Sequence, residues 1–561
     1  MTQFLLELAA VPAVPLLGLA LFYAKVMSPG AVAANRVRGL RWRIRARLRP
    51  GPGYASLFEL FCRWGRLSAI HHGRRARPRL KLRHRLRSRT VRYAVRLGRA
   101  QYGRRVYGRL EDQCGTIAAQ RSGKTALLID RVLDHEGPAL TSTSRADIYM
   151  AAASARSRRG PVEVFNPLGI GGVRSTFSWN LLAACEDEMS AYRMADWLTG
   201  MTPASAGNIE WFESKGRYAL GSLLLAANIG GYTLTDIYWW IHSGDPQQCE
   251  AVRILQQRGN KEMAQLIVRL LGTDRTAGSV RDTIDKTLQF AAMPELAAAA
   301  SRDGSFDHLG LVRDCGTLYL IASGDSNSLI TPLIRALASW LHFEAGLIGS
   351  MMPSQRLDPP LLMALDEVSV TCPIDLPAML SDSAGKGILI EWVAHSMSQL
   401  ESRWGKDGAQ TIIACSGVLR LLGGIKNSET LRLASELCGE TEGPEGKPVP
   451  VVPVELLRVL PDWRALVIRT NLYPVVVKFR PYWRRIGYRW PFRLRQAIPA
   501  PLPVAPSRYP AYPLLEDTEE TDVVLSGGVM LSTFATMALP DESAPTSQNG
   551  HKPQSWIPEA R

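Results

Sequence analysis

Apolar positions follow three different rhythms along this chain. From Phe4 to Val26 they run almost unbroken, and Leu8 to Ala24 carries no charge. That length is near the minimum that crosses about 30 Å of hydrocarbon, and Pro12 and Pro15 are tolerated in a membrane helix. From Gln113 the rhythm changes to short apolar runs bounded by turn residues: QCGTIAA, PALTSTS and VEVFNP, with the helical pattern TALLIDRVLDH between the first two. This alternation predicts βαβ units and a mostly parallel sheet. Leu181 to about Ser301 is rich in Ala, Leu, Met and Glu at helical spacing and predicts an inserted all-helical domain, with Leu220 to Ile229 as a core helix. Strand texture returns in TLYLIAS (Thr317–Ser323), LLMALDEV (Leu361–Val368), ILIEWVAHS (Ile388–Ser396) and TIIACS (Thr411–Ser416), then in ALVIRT and YPVVVKF. Beyond Arg495 the chain is proline-rich, then acidic at EDTEETD, then polar, a composition that predicts a disordered tail.

Charge sharpens this division. The 561 residues carry a formal net charge of +16, but Arg36 to Arg109 alone holds 24 Lys and Arg against one acid, Glu59. The rest is net acidic, so the chain is a near-neutral machine with a basic collar rather than a uniformly basic nucleic-acid binder. The collar interleaves arginine with apolar residues, as in RVRGLRWRIRARLRP, and suits either an anionic bilayer surface or nucleic-acid phosphates. A signal peptide carries its positive charge before the apolar run, whereas here the charge follows it. The positive-inside rule then puts the N-terminus outside and the bulk in the cytoplasm, as a single-pass protein of the inner or plasma membrane. The eight cysteines are scattered without a C-x-x-C pair or a zinc spacing, which excludes a disulfide or zinc framework. The expected division begins with a transmembrane anchor (1–28) and a basic juxtamembrane segment (29–95). A nucleotide-binding domain follows in two stretches, 96–180 and 306–495, separated by an all-α insert (181–305), and the tail occupies 496–561.

Two motifs carry chemistry. Ala118, Ala119, Gln120, Arg121, Ser122, Gly123, Lys124 and Thr125 lie between a predicted strand and a predicted helix. A phosphate-binding loop needs backbone N–H groups at a helix N-terminus, a lysine for the outer phosphates and a hydroxyl for Mg²⁺, and Lys124 and Thr125 supply the last two. Ala118 stands where the first glycine of G-x-x-x-x-G-K-T belongs, a tolerable change unless that residue needs positive φ. LLMALDEV reads as a strand buried on both faces that ends in Asp366 and Glu367. Asp366 there would hold Mg²⁺ through water, and Glu367 would polarise the attacking water as general base. ILIEWVAHS ends in His395 and Ser396, with Ser398 and Gln399 beyond. His395 is either a sensor of the terminal phosphate or a polar cap on the strand end. Together the motifs predict an ATPase that uses ATP and Mg²⁺.

In order along Arg96 to Arg480, RLEDQCGTIAAQRSGKT, TSTSRADIY, FNPLGIGG, SWNLL, TLYLIASGDSNSLITPLIRAL, LLMALDEV, LPAMLSDSAGKGILIEWVAHSMSQLESRWG and RVLPDWRALVIRTNLYPVVV resemble the type IV secretion coupling proteins. These are the TraG/TraD-like conjugation ATPases, a branch of the motor ATPases that also includes FtsK-type DNA pumps. The resemblance implies a RecA-like nucleotide-binding domain interrupted by an all-helical domain. It also implies a ring, usually a homo-hexamer, that engages relaxase-bound single-stranded DNA and secretion-channel proteins at a membrane. Three features depart from the family: one membrane segment rather than two, Ala118, and His395 where glutamine is common. Arg281, Arg302 and Arg403 are candidates for an arginine finger acting in trans, and Lys386 sits where family members often have arginine.

The resulting expectation is a membrane-anchored motor that couples relaxase–DNA or protein cargo to a conjugation channel. The alternatives are an ATP-binding cargo receptor with little turnover and a double-stranded DNA pump, although the tail holds no recognisable DNA-reading module. The topology is testable: a reporter active only outside the cytoplasm should be silent when fused after Pro50 and active when fused before Phe4. The opposite pattern would refute the charge argument.

Overall fold

The computed structural model describes residues 52–485 apart from 201–206, 243–244, 273–276, 326–327 and 444–445. The apolar run from Phe4 to Val26 and the tail from residue 496 lie outside the described residues. Among the described residues no helix is long and apolar enough to cross a membrane. Every described residue belongs to one compact unit.

The fold is mixed α/β, organised on one eleven-stranded sheet. Its strands are β1 (Ala94–Arg99), β2 (Arg105–Arg109), β3 (Cys114–Ile117), β4 (Ala139–Thr143), β5 (Val162–Phe165), β6 (Thr317–Ile321), β7 (Leu361–Leu365), β8 (Ile388–Ala394), β9 (Val418–Leu422), β12 (Arg464–Arg469) and β13 (Leu472–Lys478). They lie in the order β2-β1-β13-β12-β9-β3-β8-β7-β4-β6-β5. A separate ribbon pairs β10 (Glu440–Glu442) with β11 (Pro448–Pro450). From β9 to β5 all neighbours are parallel, and β12, β13, β1 and β2 extend the sheet antiparallel. Parallel strands are buried on both faces, which is why β3, β4, β6, β7, β8 and β9 are buried at every position. Between Phe165 and Thr317 the described residues form helices and no strand, the longest being Gly207–Gly230.

One expected strand is a helix. TIIACS forms the end of the helix Met397–Cys415, and the strand is the next segment, β9. Leu400, Trp404, Ala409 and Ile412 are the buried residues of that helix beside Met397. Their spacing is helical, but a short apolar run such as Ile412–Cys415 looks the same in either state. Within the basic collar the described residues also fold: helices Leu57–Cys62, Arg66–Ala76 and Leu82–Arg87 precede the β1–β2 ribbon.

Several buried polar groups set the register of the sheet. The Gln113 side chain bridges to β8, its amide donating to the Ile388 carbonyl (3.1 Å) and its carbonyl accepting from Ile390 N (2.5 Å). Gly115 on β3 has no side chain because the Trp392 ring of β8 occupies the place a Cβ would take. Arg156, 1% exposed, donates to the carbonyls of His135 and Gly137 (2.6 and 2.7 Å) and to the Thr317 hydroxyl (2.6 Å), tying the entries of β4 and β6.

At the centre of the sheet Glu391 of β8 is 1% exposed and accepts from Arg131 (3.1 Å) and Arg420 (2.5 Å), both also buried. Removing the carboxylate would leave two guanidinium groups without their counter-charge in a dry core. Glu391→Gln should therefore cost on the order of 3–5 kcal/mol of unfolding free energy, measured by urea titration. Replacing all three residues by apolar ones of similar volume should recover most of that loss. A wild-type midpoint for Glu391→Gln would show that the triad is not a structural keystone.

Candidate active site

Three neighbouring parallel strands, β3, β8 and β7, end on one edge of the sheet. The crevice at the carboxyl ends of parallel strands is where α/β sheets bind ligands. Residues 118–125 follow β3, and the helix Lys124–Asp134 opens with Gly123 as its N-cap. The Ala118 amide donates to the Ala394 carbonyl (3.0 Å), extending the β3–β8 pairing into the loop. The Ser122 hydroxyl donates to the Ala119 carbonyl (2.7 Å) and closes the turn. In this loop the left-handed residues are Arg121 (φ 59°) and Gly123 (φ 97°). Ala118 is not among them, so alanine there carries no backbone strain. Gly123 is constrained twice, by that φ and by the Trp463 ring, which would lie 2.9 Å from a Cβ.

β7 delivers the two acids. Asp366 is 5% exposed, and its amide donates to the Ser142 carbonyl of β4 (2.8 Å). Glu367 takes a left-handed conformation (φ 50°, ψ 49°) that turns the chain out of the strand. The Thr371 hydroxyl donates to the Asp366 carbonyl (2.6 Å) and holds that turn. His395 follows β8; its amide donates to the Gln399 side chain (2.8 Å), and its Nδ1 lies 3.3 Å from the Ala118 carbonyl.

These elements bring together Lys124, Thr125, Asp366, Glu367 and His395. Lys124 Nζ is 2.5 Å from Glu367 Oε1 and 3.0 Å from His395 Nε2. His395 Nε2 is in turn 3.2 Å from Glu367 Oε1. The hydrogen bond from His395, and then that from Lys124, hold the Glu367 carboxyl down at about 2 against the opposing effect of burial. Glu367 is thus a committed carboxylate, and an anion entering the loop competes with it for the Lys124 ammonium.

The Thr125 hydroxyl donates to Asp366 Oδ2 (2.9 Å). Asp366 Oδ1 is buried without a hydrogen-bond partner. Burial pushes the Asp366 carboxyl above its usual range, with Lys124 and the Thr125 bond opposing. A buried carboxylate oxygen left without a partner beside a threonine hydroxyl fits a hydrated divalent cation.

Two of the three arginine candidates, Arg281 and Arg302, are engaged elsewhere. Arg302 donates to the carbonyls of Ala227 and Tyr232 (3.1 and 2.8 Å), and Arg281 donates to the Leu271 carbonyl. Lys386 pairs with Asp382. Arg403 lines a cavity of about 900 Å³ together with Arg335, Ser369 and Gln399. Trp463 falls in RVLPDWRALVIRT, a passage of the resemblance just before a predicted strand, but nothing local to it assigns it to the loop. Only the fold carries it to the loop, where it also meets Phe479 and Trp483 (5.6 and 5.2 Å between ring centres).

A family described as the TraM recognition site of TraD and TraG matches residues 360–444. That stretch contains β7, β8 and β9. The plasmid coupling protein TrwB in complex with ADP and Mg²⁺ superposes with a TM-score of 0.52 at 19% identity, over 67% of this chain and 88% of that one. This chain is similar to the type IV coupling proteins. TrwB in complex with a non-hydrolysable ATP analogue matches at a TM-score of 0.50 and 19% identity, covering 72% of this chain and 89% of that one. The unbound bacterial conjugative coupling protein TrwB gives 0.50 at 17% identity, over 66% and 85%. At such identities the likeness to TrwB is one of fold. No curated protein matches the chain.

The Lys124–Glu367 pair yields a direct test with inorganic pyrophosphate. Glu367→Gln should bind it on the order of ten-fold more tightly than wild type, because the competing carboxylate is gone. Lys124→Ala should bind it negligibly. Calorimetric titration of the detergent-solubilised full chain reads both, and equal or weaker binding by Glu367→Gln would refute the competition.

Proposed function

We propose that this chain is a membrane-anchored, ATP-driven motor that couples relaxase–DNA or protein cargo to a conjugation channel. The observation that carries the proposal is the convergence of Lys124, Thr125, Asp366, Glu367 and His395 at the ends of β3, β7 and β8. A RecA-like motor needs that set on that edge of its sheet. The TrwB structures with ADP and Mg²⁺ and with an ATP analogue support the same ligands here, and the matched TraM recognition site supports a relaxosome partner for residues 360–444.

In this reading residues 118–125 cradle the phosphates with backbone N–H groups. Lys124 leaves Glu367 for the outer phosphate, so ATP binding itself releases the base. Thr125 directly, and Asp366 through water, would hold Mg²⁺, which supplies charge neutralisation on the phosphate oxygens. Glu367 orients the attacking water and takes its proton. His395, hydrogen-bonded to the loop at Ala118, stands where the terminal phosphate arrives and reports its loss to β8. The remaining elements of the proposal are the 1–28 anchor in the inner membrane, the 181–305 insert, the homo-hexameric ring, the secretion-channel partners and single-stranded DNA as cargo.

A second reading is a cargo receptor that binds ATP with little turnover, favoured by the Lys124–Glu367–His395 contacts that tie up the base. Phosphate release separates the two. The full-length chain in detergent should show weak basal ATPase activity that single-stranded DNA raises several-fold, with stimulation falling as salt rises. Glu367→Gln should lower that rate by at least ~10²-fold. DNA binding and ring formation without any rise in phosphate release would favour the receptor.

A further inference from the structure

The antiparallel end of the sheet carries an arrangement that folding alone disfavours. In the strand register Arg105 of β2 faces Arg99 of β1, Arg99 faces Lys478 of β13, and Lys478 faces Arg464 of β12. Of these, Arg105, Arg99 and Lys478 stand side by side across three neighbouring strands and line one cleft. Like charges directly opposite one another destabilise a sheet, so a row of this kind calls for an anion.

A cleft of about 730 Å³ opens at the same place. Arg99, Arg105, Lys478, Arg480 and Arg484 line it, and among the described residues none of them has an ion-pair partner. The two acids in its wall, Asp130 and Asp134, are already taken by Arg96 and Arg485. Arg420 also lines the cleft; it is 2% exposed, and its Nε has no hydrogen-bond partner.

Two exposed leucines lie beside the cleft. Arg66 lines the cleft and donates to the Leu86 carbonyl (2.5 Å), and Leu67 follows Arg66 in the chain. Leu67 and Leu86 are both more than half exposed.

We propose that this cleft binds the phosphodiester headgroup of an anionic phospholipid while Leu67 and Leu86 beside it enter the headgroup–acyl boundary. The cations alone would suit nucleic acid equally well. Leucines, however, neither stack on bases nor pair with phosphate, whereas an interfacial helix combines basic and large apolar side chains in this way. The inference rests on the membrane placement proposed above and deepens it: the collar reads the lipid as well as lying near it.

The test uses the full-length chain in neutral detergent, titrated with tail-labelled phosphatidylglycerol or phosphatidylcholine in mixed micelles. Phosphatidylglycerol should bind roughly ten-fold or more tightly than phosphatidylcholine. Arg99→Glu with Arg105→Glu should abolish that preference without lowering the thermal midpoint, since it also relieves the like-charge row. Leu67→Ser with Leu86→Ser should weaken both lipids. Equal binding of the two lipids, or a preference that survives the charge reversal, would overturn the proposal. Displacement of the lipid by inorganic pyrophosphate alone would instead mark a free-phosphate site, and displacement by an oligothymidylate a nucleic-acid site; either also overturns it. Extraction of the protein from membranes at alkaline pH would refute the anchor but leave the headgroup preference in micelles intact, so the two failures are distinguishable.

Discussion

Strand β8 has to lie between β3 and β7 for the site to form. Neighbouring strands are about 4.8 Å apart, so one intervening strand sets β3 and β7 about 10 Å from each other. A lysine at the first turn of the helix after β3 reaches across such a gap to the end of β7, and a residue at the end of β8 stands between them. This is the relation of Lys124, Glu367 and His395. The Gln113 bridge and the Trp392 ring on Gly115 hold β3 and β8 in register. Slipping that register by one residue would turn His395 to the other face.

Beneath the site the same strands carry a second layer of charge. Glu391 sits mid-strand on β8 and gathers Arg131 from the helix that begins with Lys124 and Arg420 from β9. The helix is thus anchored at both ends by strands of the site: at Thr125 through Asp366 of the β7 end, and at Arg131 through Glu391 of β8. Beyond it, Asp130 and Asp134 bind Arg96 of β1 and Arg485 after β13. A continuous set of charge contacts therefore runs from the carboxylates of the site to the basic collar, along one helix of eleven residues.

Much of this is legible in the residues. Period-2 and near-continuous apolar runs locate β3, β4, β5, β6, β7, β8, β12 and β13, because a strand packed on one or both faces is mostly apolar on those faces. The loop residues 118–125 and the acids after LLMAL are legible because their chemistry needs those residue types at a strand end. β9 escapes such a reading and TIIACS misleads it, since a run of four apolar residues does not reveal its period. The collar is visible only as charge; its strands β1 and β2 are short, and arginine is too common in them to leave an apolar rhythm.

By itself the sequence determined which groups were available: a lysine and hydroxyl after one apolar strand, two acids after a second, a histidine after a third, and a surplus of arginine near the start. These are local properties, set by side-chain chemistry and by periods of two or four residues. Only the tertiary structure decided that β8 comes between β3 and β7, that Lys124 rests on Glu367 and His395, that Trp463 covers Gly123, and that Arg105, Arg99, Lys478 and Arg464 follow one another in strand register. Apart from the hairpin pairs Arg99–Arg105 and Arg464–Lys478, those contacts join residues hundreds of positions apart. Their pairing follows from which strands share hydrogen bonds, and no local pattern encodes that choice.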